Sequence, residues 1–264
     1  MPTTFTHYLH GQCVYHDIAN KHYFDPNYMD HFNVGVHGPD IVFYYHFLNP
    51  KDKNKVGYDM HLMMGDELFT RFKQIYLQHT EKDKAMAYLC GFICHFALDS
   101  SFHPMIYRIQ REGKFTHSLI ETQLDRTLLT LKGVSDPTKY DLTQHIHPSL
   151  PLAQVISPFF DSFDANTMLK SLQSQVNVHH LLHCNSIVKR KMFTSVLSIP
   201  KNKFFRDLIM IDKDDPRLLP YVNELLAHWE SSVSRAVKLI DNYVAFIHNR
   251  DSLDPLFHHD FEEK

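Results

Sequence analysis

The stretch AMAYLCGFICHFALDSSFHPMIYRIQREGKFTHSLIE, residues 85–121, places side chains that bind metals at regular helical intervals. The residues within each of two sets lie four apart: His95, Asp99 and His103, then His117 and Glu121. Side chains four apart share one face of a helix, so each set can approach one ion without distorting the backbone. Two such sets this close in sequence predict a metal site between two helices.

Apolar residues surround His95 so closely that its helix is expected to be buried. Phe92, Ile93 and Phe96 are among its immediate neighbours. A charged Asp99 buried there without a partner would be unfavourable, and a cation is the natural partner. Zinc accepts both imidazole nitrogen and carboxylate oxygen. The alternative is a buried hydrogen bond between His95 and Asp99, with the other histidines incidental.

Composition favours one large helical domain. The chain has 264 residues, of which 44% are hydrophobic, so it can bury a sizeable core. Its 8 glycines, 20 phenylalanines and 13 tyrosines indicate few tight turns and many large packing side chains. The net charge of -3 argues against a protein that binds nucleic acid by neutralising phosphates. Nucleic acid is therefore an unlikely partner.

No export or membrane segment is predicted. The N-terminal MPTTFTHYLHGQ lacks a basic region and a long apolar run. The apolar run at residues 85–98 contains a histidine and is too short for a membrane span, so we expect a buried core helix. The 4 cysteines show no CxxC spacing and are interpreted as reduced thiols in a cytoplasmic protein.

Hydrophobic spacing predicts helices along most of the chain. The predicted helices cover part of residues 1–20 after an N-terminal arm, a turn at 27–32, a stretch from about 58 to 75, and then 81–109, 116–132, 167–174, 176–197 and 217–249. Pro104 is expected to disturb the central helix around residues 100–104. Gly35, Gly38 and Pro39 predict a structured loop at residues 33–46 that delivers Asp40. Residues 136–161 are expected to form a long surface connection with one or two turns of helix.

Several motifs resemble a known family. THY near the start, GVHGPDIVFYYH, GYDMH and FICHFALDSSFHP followed by HSLIE are similar to the bacterial zinc-dependent phospholipase C family. Fungal zinc-dependent single-strand nucleases share that fold. The resemblance covers residues 3–125 and is strongest at 91–121. It implies an all-α protein, residues 1–264 forming a single helical domain with a multinuclear metal site between helices. Residues 144–264 carry no motif, and His258 and His259 are interpreted as incidental.

The resemblance also implies a ligand set. The first zinc would be bound by Asp40, His61, His95 and Asp99. The second would be bound by His103, His117 and Glu121. Asp99 would bridge to a third ion, with His7 as its N-terminal imidazole. Two zinc ions are expected and the third is left open, because the chain starts MPTTFTH without the tryptophan that helps to hold it in secreted members.

The expected activity is hydrolysis of a phosphodiester by metal-activated water. A phospholipase C type enzyme would cleave a phospholipid or head-group diester to diacylglycerol or another alcohol and a phosphomonoester, with transient contact to a membrane surface. Asp40 is the predicted catalytic residue, because its glycine-proline loop can aim it at the attacking water. Two alternatives are a nuclease or nucleotidase using the same metal cluster, and a non-catalytic metal-binding helical protein.

Overall fold

The computed structural model describes residues 4–47, 52–183, 186, 189 and 206–262. Within these residues the chain forms helices and no strand, which confirms the predicted all-α class. The α-helices are α1 Thr4–Ile18, α2 Met29–Gly35, α3 Lys55–Leu62, α4 Gly65–Gln78, α5 Lys82–Gly113, α6 His117–Leu131, α7 Leu150–Ile156, α8 Ala165–Leu182, α9 Leu219–Ala227 and α10 Trp229–Ile247. Short 3-10 helices include Gly38–Tyr44 and Pro255–Phe257.

Helix α5 lies at the centre of the protein. Every residue from 85 to 100 is buried, and helices α1, α2, α4, α6, α7, α9 and α10 pack around it. In the described part of the chain it is also the one helix long and apolar enough to cross a membrane by length and composition. Its most apolar window is 94% buried inside the protein, so its apolar surface is used for packing.

Helices α2 and α5 approach until their backbones touch. A Cβ atom added at Gly35 would lie 2.3 Å from the carbonyl oxygen of Tyr88, and one added at Gly91 would lie 2.2 Å from that of Phe32. No side chain fits either position. This contact holds α2 in place, and the segment that carries Asp40 follows α2 directly.

The predicted disturbance at Pro104 is wrong. Helix α5 continues without interruption from residue 82 to 113, with Pro104 inside it. Proline removes one hydrogen bond of the helix ladder. Phe102 before Pro104, and Ile106 and Ile109 after it, are buried. Such packing contributes most of a helix's stability in a folded protein.

The helix predicted to start near residue 58 and to reach residue 75 is two helices. Met63 and Met64 adopt extended backbone conformations between α3 and α4. Gly65 then donates its N–H to the carbonyl oxygen of His259 at 2.7 Å, and a Cβ atom added at Gly65 would lie 2.7 Å from Phe257 O. The break therefore depends on contact with the C-terminal segment, which local spacing does not reveal.

Two other boundaries differ from the predictions. The helices predicted at residues 167–174 and 176–197 form the single helix α8 as far as Leu182, and most residues beyond 183 in that prediction lie outside the described residues. The helix predicted at residues 217–249 is divided into α9 and α10 at His228.

The turns of helix predicted within residues 136–161 are present as α7, but the prediction that this segment is a surface connection is wrong. Ser149 caps α7 by accepting a hydrogen bond from the N–H of Leu152. The apolar side chains of this segment are buried: Leu152, Ala153, Val155, Ile156 and Phe159. Proline at the first turn of α7 starts the helix instead of breaking it, and its apolar face packs against α5 and α8.

Replacing Gly91 with alanine tests the contact between α2 and α5. Helix propensity alone would make Gly91→Ala stabilising by about 1 kcal/mol. We expect it instead to lower the free energy of unfolding by about 3 kcal/mol, because the new methyl group meets the backbone of α2. Urea denaturation measures the change. Gln173→Ala, at an exposed position in α8, is the control, and a stabilised Gly91→Ala would contradict the contact.

Candidate metal centre

The structure brings all the predicted ligands together. Five segments supply them: His7 from α1, Asp40 from the Gly38–Tyr44 3-10 helix, His61 from α3, His95, Asp99 and His103 from α5, and His117 and Glu121 from α6. They form three groups, in each of which the possible ligand atoms lie within 4.8 Å of one another: His7, His95 and Asp99; Asp40, His61 and His95; and His103, His117 and Glu121. These are three suitable positions for a metal ion.

The carboxylate of Asp99 is at the centre. Its Oδ2 atom lies 3.0 Å from His95 Nε2 and 3.8 Å from His61 Nε2. Its Oδ1 atom lies 3.2 Å from His7 Nε2 and 3.8 Å from His103 Nε2. The two oxygens therefore face different imidazoles, which is the arrangement that a carboxylate shared between two metal positions requires.

Asp40 reaches the site because its loop packs directly on a histidine ring. Gly38 has a positive φ of 49°, and a Cβ atom there would lie 2.4 Å from Cδ2 of His95. Asp40 follows two residues later, with Oδ1 at 3.3 Å from His61 Nε2. The predicted structured loop is thus a 3-10 helix whose close approach depends on glycine.

The third group lies where α6 begins. Thr116 accepts a hydrogen bond from the N–H of Leu119 and caps the helix, so His117 and Glu121 occupy its first two turns. His117 Nε2 lies 2.9 Å from Glu121 Oε1. The ring centroids of His103 and His117 are 5.2 Å apart. The side chain of His117 is 28% exposed, and the site opens to solvent beside it.

Backbone carbonyls orient three of the imidazoles. His61 Nδ1–H donates to Gly57 O at 2.6 Å and His95 Nδ1–H donates to Val36 O at 3.2 Å. His103 Nδ1–H donates to the carbonyl oxygen of Phe261 at 2.9 Å. A carbonyl only accepts hydrogen bonds, so each Nδ1 carries a proton, and the Nε2 of a neutral ring presents a lone pair. Histidines that bind metals are oriented in this way.

These lone pairs face an ionised carboxylate. Burial acts to raise the pKa of Asp99, but the neighbouring His95 and His103 hold it well below its usual value. His95 Nε2 is buried and has no hydrogen-bond partner, although Asp99 lies 3.0 Å away. Two acceptors at this distance need a positive charge between them, either a proton or a metal ion.

The pKa values of Asp40, His103 and His61 are also shifted, and the two histidines shift in opposite directions. Burial opposes the charge of Asp40, but hydrogen bonding to His61 and the charge of His95 hold the pKa of Asp40 well below its usual value. Burial lowers the pKa of His103, whereas Asp40 raises that of His61 against the effect of burial. The residues fit a metal: the carboxylates are ionised, His95 and His103 direct Nε2 at Asp99, and Asp40 favours positive charge at His61, which a cation could supply.

His7 differs from the other imidazoles. Its Nδ1 is buried without a hydrogen-bond partner, so no carbonyl fixes its tautomer. Its Nε2–H can donate to Asp99 Oδ1 at 3.2 Å without any ion. A cavity of about 10 Å³ is bordered by His7, Asp99, His103 and Glu121, enough space for a single water or ion. The group containing His7 is thus the one that requires a metal least.

Two residues that support these ligands, Asp125 and Phe261, were not predicted from the sequence. Asp125 accepts hydrogen bonds at the start of α1 from Phe5 N at 3.3 Å, Thr6 N at 2.8 Å and Thr6 Oγ1 at 2.5 Å, next to His7. It stands four residues after Glu121, a spacing that could have indicated it. Phe261, whose carbonyl orients His103, has no sequence signal at all.

Gly38→Ala tests the close approach of the Asp40 loop to His95. We expect at least about a tenfold loss of metal affinity, because a methyl group at residue 38 displaces the His95 ring and with it Asp40. Chelator competition measures the affinity. Gly133→Ala is a matched control, since Gly133 also has a positive φ, of 84°, but has no atom within 4 Å of an added Cβ. Equal affinities for the two variants would contradict the prediction.

Comparison with known proteins agrees with this geometry. A family model described as zinc dependent phospholipase C matches residues 2–188, and this range includes every candidate ligand. No curated protein and no solved structure matches the chain. The match covers more than half of the chain and confirms the resemblance noted in its motifs. The protein belongs to the zinc-dependent phospholipase C family.

Proposed function

We propose that this protein is a zinc-dependent phosphodiester hydrolase of phospholipase C type, which cleaves a phospholipid or a head-group diester. The observation that carries the proposal is the orientation of His61, His95 and His103. Their Nδ1 atoms bind backbone carbonyls and their Nε2 atoms face Asp99. Membership of the family supports the same conclusion.

Two zinc ions would be bound by the residues of two groups. Asp40, His61, His95 and Asp99 would hold one, and His103, His117 and Glu121 the other. When bound, zinc supplies a Lewis acid for the phosphoryl oxygens and lowers the pKa of water to about 7. Because only three carboxylates offset the charge of two divalent ions, the site would keep a net positive charge that attracts a phosphodiester.

Asp40 would orient the attacking water. Its carboxylate is ionised at neutral pH because its pKa is held well below the usual value, despite burial, by His61 and His95. An ionised carboxylate accepts a hydrogen bond from water and directs the lone pair of the water at phosphorus. A group with such a low pKa is a weak base, so orientation is its main contribution.

Exposure of the site favours catalysis over a purely structural role. Structural zinc sites are closed by protein ligands, whereas catalytic sites keep an open position. The side chain of His117 is 28% exposed, while that of His95 is fully buried. The substrate phosphate would therefore enter beside His117, with its leaving group directed to solvent or to a membrane surface.

Assays of the zinc-loaded protein test this function. We expect hydrolysis of phosphatidylcholine, phosphatidylethanolamine or a chromogenic phosphodiester, and a loss of kcat/KM of more than about 100-fold in His117→Ala, because a ligand is removed. His147→Ala is the matched control, since the side chain of His147 is 63% exposed and pairs with Asp30. Its activity should equal that of the wild type.

The same assays separate the alternatives. Hydrolysis of single-stranded DNA or nucleotides without hydrolysis of lipids would replace the phospholipase proposal by a nuclease or nucleotidase. Wild-type protein that binds zinc but hydrolyses none of these substrates would be a metal-binding protein without this activity.

A further inference from the structure

The C-terminal segment, residues 255–262, lies outside the part of the chain that the family model matches, residues 2–188. It begins with the 3-10 helix Pro255–Phe257. The residues that follow run beside the metal centre and contact the helices that carry its ligands. We call residues 258–262 the C-terminal strap.

Backbone hydrogen bonds tie the strap to α3, α4 and α5. His259 O accepts from Gly65 N at the start of α4, at 2.7 Å. Phe261 N–H donates to the carbonyl oxygen of His61 at 3.2 Å. Phe261 O accepts from His103 Nδ1 at 2.9 Å. The backbone of Phe261 thus binds two candidate ligands. It bonds to the backbone of His61 and to the imidazole ring of His103.

The ring of Phe261 packs on the same centre. The side chain is fully buried, and its centroid lies 5.1 Å from that of His61 and 5.8 Å from that of His95. It also meets Phe96 edge-on at 5.0 Å. Because rings packed at this density have little room to turn, Phe261 limits the orientations available to His61 and His95.

The carboxylate of Glu262 also lies close to Nδ1 of His103. Glu262 Oε1 lies 3.9 Å from His103 Nδ1, and its side chain is 14% exposed. Negative charge beside the Nδ1 of a histidine makes the opposite nitrogen a better metal ligand. The strap therefore contacts His103 through a carbonyl oxygen and a nearby carboxylate.

We propose that the C-terminal strap sets the geometry of the metal centre, with Phe261 as a positioning residue for His61, His95 and His103. The carbonyl of Phe261 fixes the tautomer of His103 so that Nε2 faces Asp99, and its ring holds the two other imidazoles in place. The inference rests on the ligand assignment in the proposed function. It extends the centre to a segment for which neither motif nor family match provides a role.

Phe257 provides a matched control. It is as fully buried as Phe261 and lies four residues before it. Among the described residues, its ring neighbours are Phe69 at 4.7 Å, Phe96 at 5.7 Å and Tyr243 at 6.2 Å, with no candidate ligand. Phe257→Ala and Phe261→Ala should therefore lower the Tm by similar amounts, but only the second should affect the metal centre.

The experiment measures Zn²⁺ affinity in the full-length chain by competition with a chromophoric chelator, below the unfolding transition of every variant. We expect Phe261→Ala to bind zinc about 10–100-fold more weakly than the wild type, and Phe257→Ala to stay within about twofold. Phe261→Leu, which keeps an apolar side chain over the histidines, should recover part of the loss. The visible spectrum of the Co²⁺-loaded protein should shift in Phe261→Ala and not in Phe257→Ala.

Phe261→Ala removes the ring and keeps the carbonyl, so three results would overturn the positioning role of the Phe261 ring: wild-type affinity in Phe261→Ala, equal losses in Phe261→Ala and Phe257→Ala, or a wild type that binds no zinc. A failure of the proposed activity looks different. Zinc-loaded wild type that cleaves no phosphodiester would reject the hydrolase, while a selective loss of affinity in Phe261→Ala would still support the strap.

Discussion

The buried carboxylate of Asp99 lies where the segments that carry the candidate ligands meet. Four imidazole Nε2 atoms lie 3.0 to 3.8 Å from its two oxygens. Burying an ion without compensation costs several kcal/mol, and neutral rings with lone pairs directed at the carboxylate do not offset this. Protons or metal ions between the rings and the carboxylate would supply the missing positive charge, so the placement of one residue on α5 creates a site that could hold metal.

Close backbone contacts position the segments that surround Asp99. Gly35 and Gly91 let α2 touch α5, and Gly38 lets the next segment lie against the ring of His95 and deliver Asp40. Asp125 secures the start of α1 beside His7. At the other end of the chain, Phe261 lies over the imidazoles. Segments far apart in sequence therefore orient ligands that would otherwise rotate freely.

Local spacing accounts for what the sequence could predict. Ligands four apart place His95, Asp99 and His103 on one face of α5, and a threonine cap followed by His117 and Glu121 starts α6. The positions of His7, Asp40 and His61 came from resemblance to the family, because no local rule relates them to α5. The structure brings these residues to one place, and their role as ligands stays a proposal.

What the sequence could not predict depends on contacts between distant segments. Pro104 remains helical because buried neighbours support α5, and the break at Met63 and Met64 depends on the C-terminal segment packing against Gly65. Proline and serine in residues 136–161 suggested exposure, yet α7 is a buried helix that proline starts. The contacts of Phe261 are invisible in the sequence, since one is made by a carbonyl oxygen that every residue has and the others depend on where the distant segment packs.

Counting and locating zinc in the protein tests whether Asp99 and the residues around it form a centre of two zinc ions. The protein is saturated with zinc and desalted, its metal content is measured by elemental analysis, and anomalous diffraction at the zinc edge locates the ions in crystals. The account predicts two zinc ions per chain, one bound by Asp40, His61, His95 and Asp99 and the other by His103, His117 and Glu121. Protein without stoichiometric zinc, or with anomalous peaks away from these residues, would contradict it.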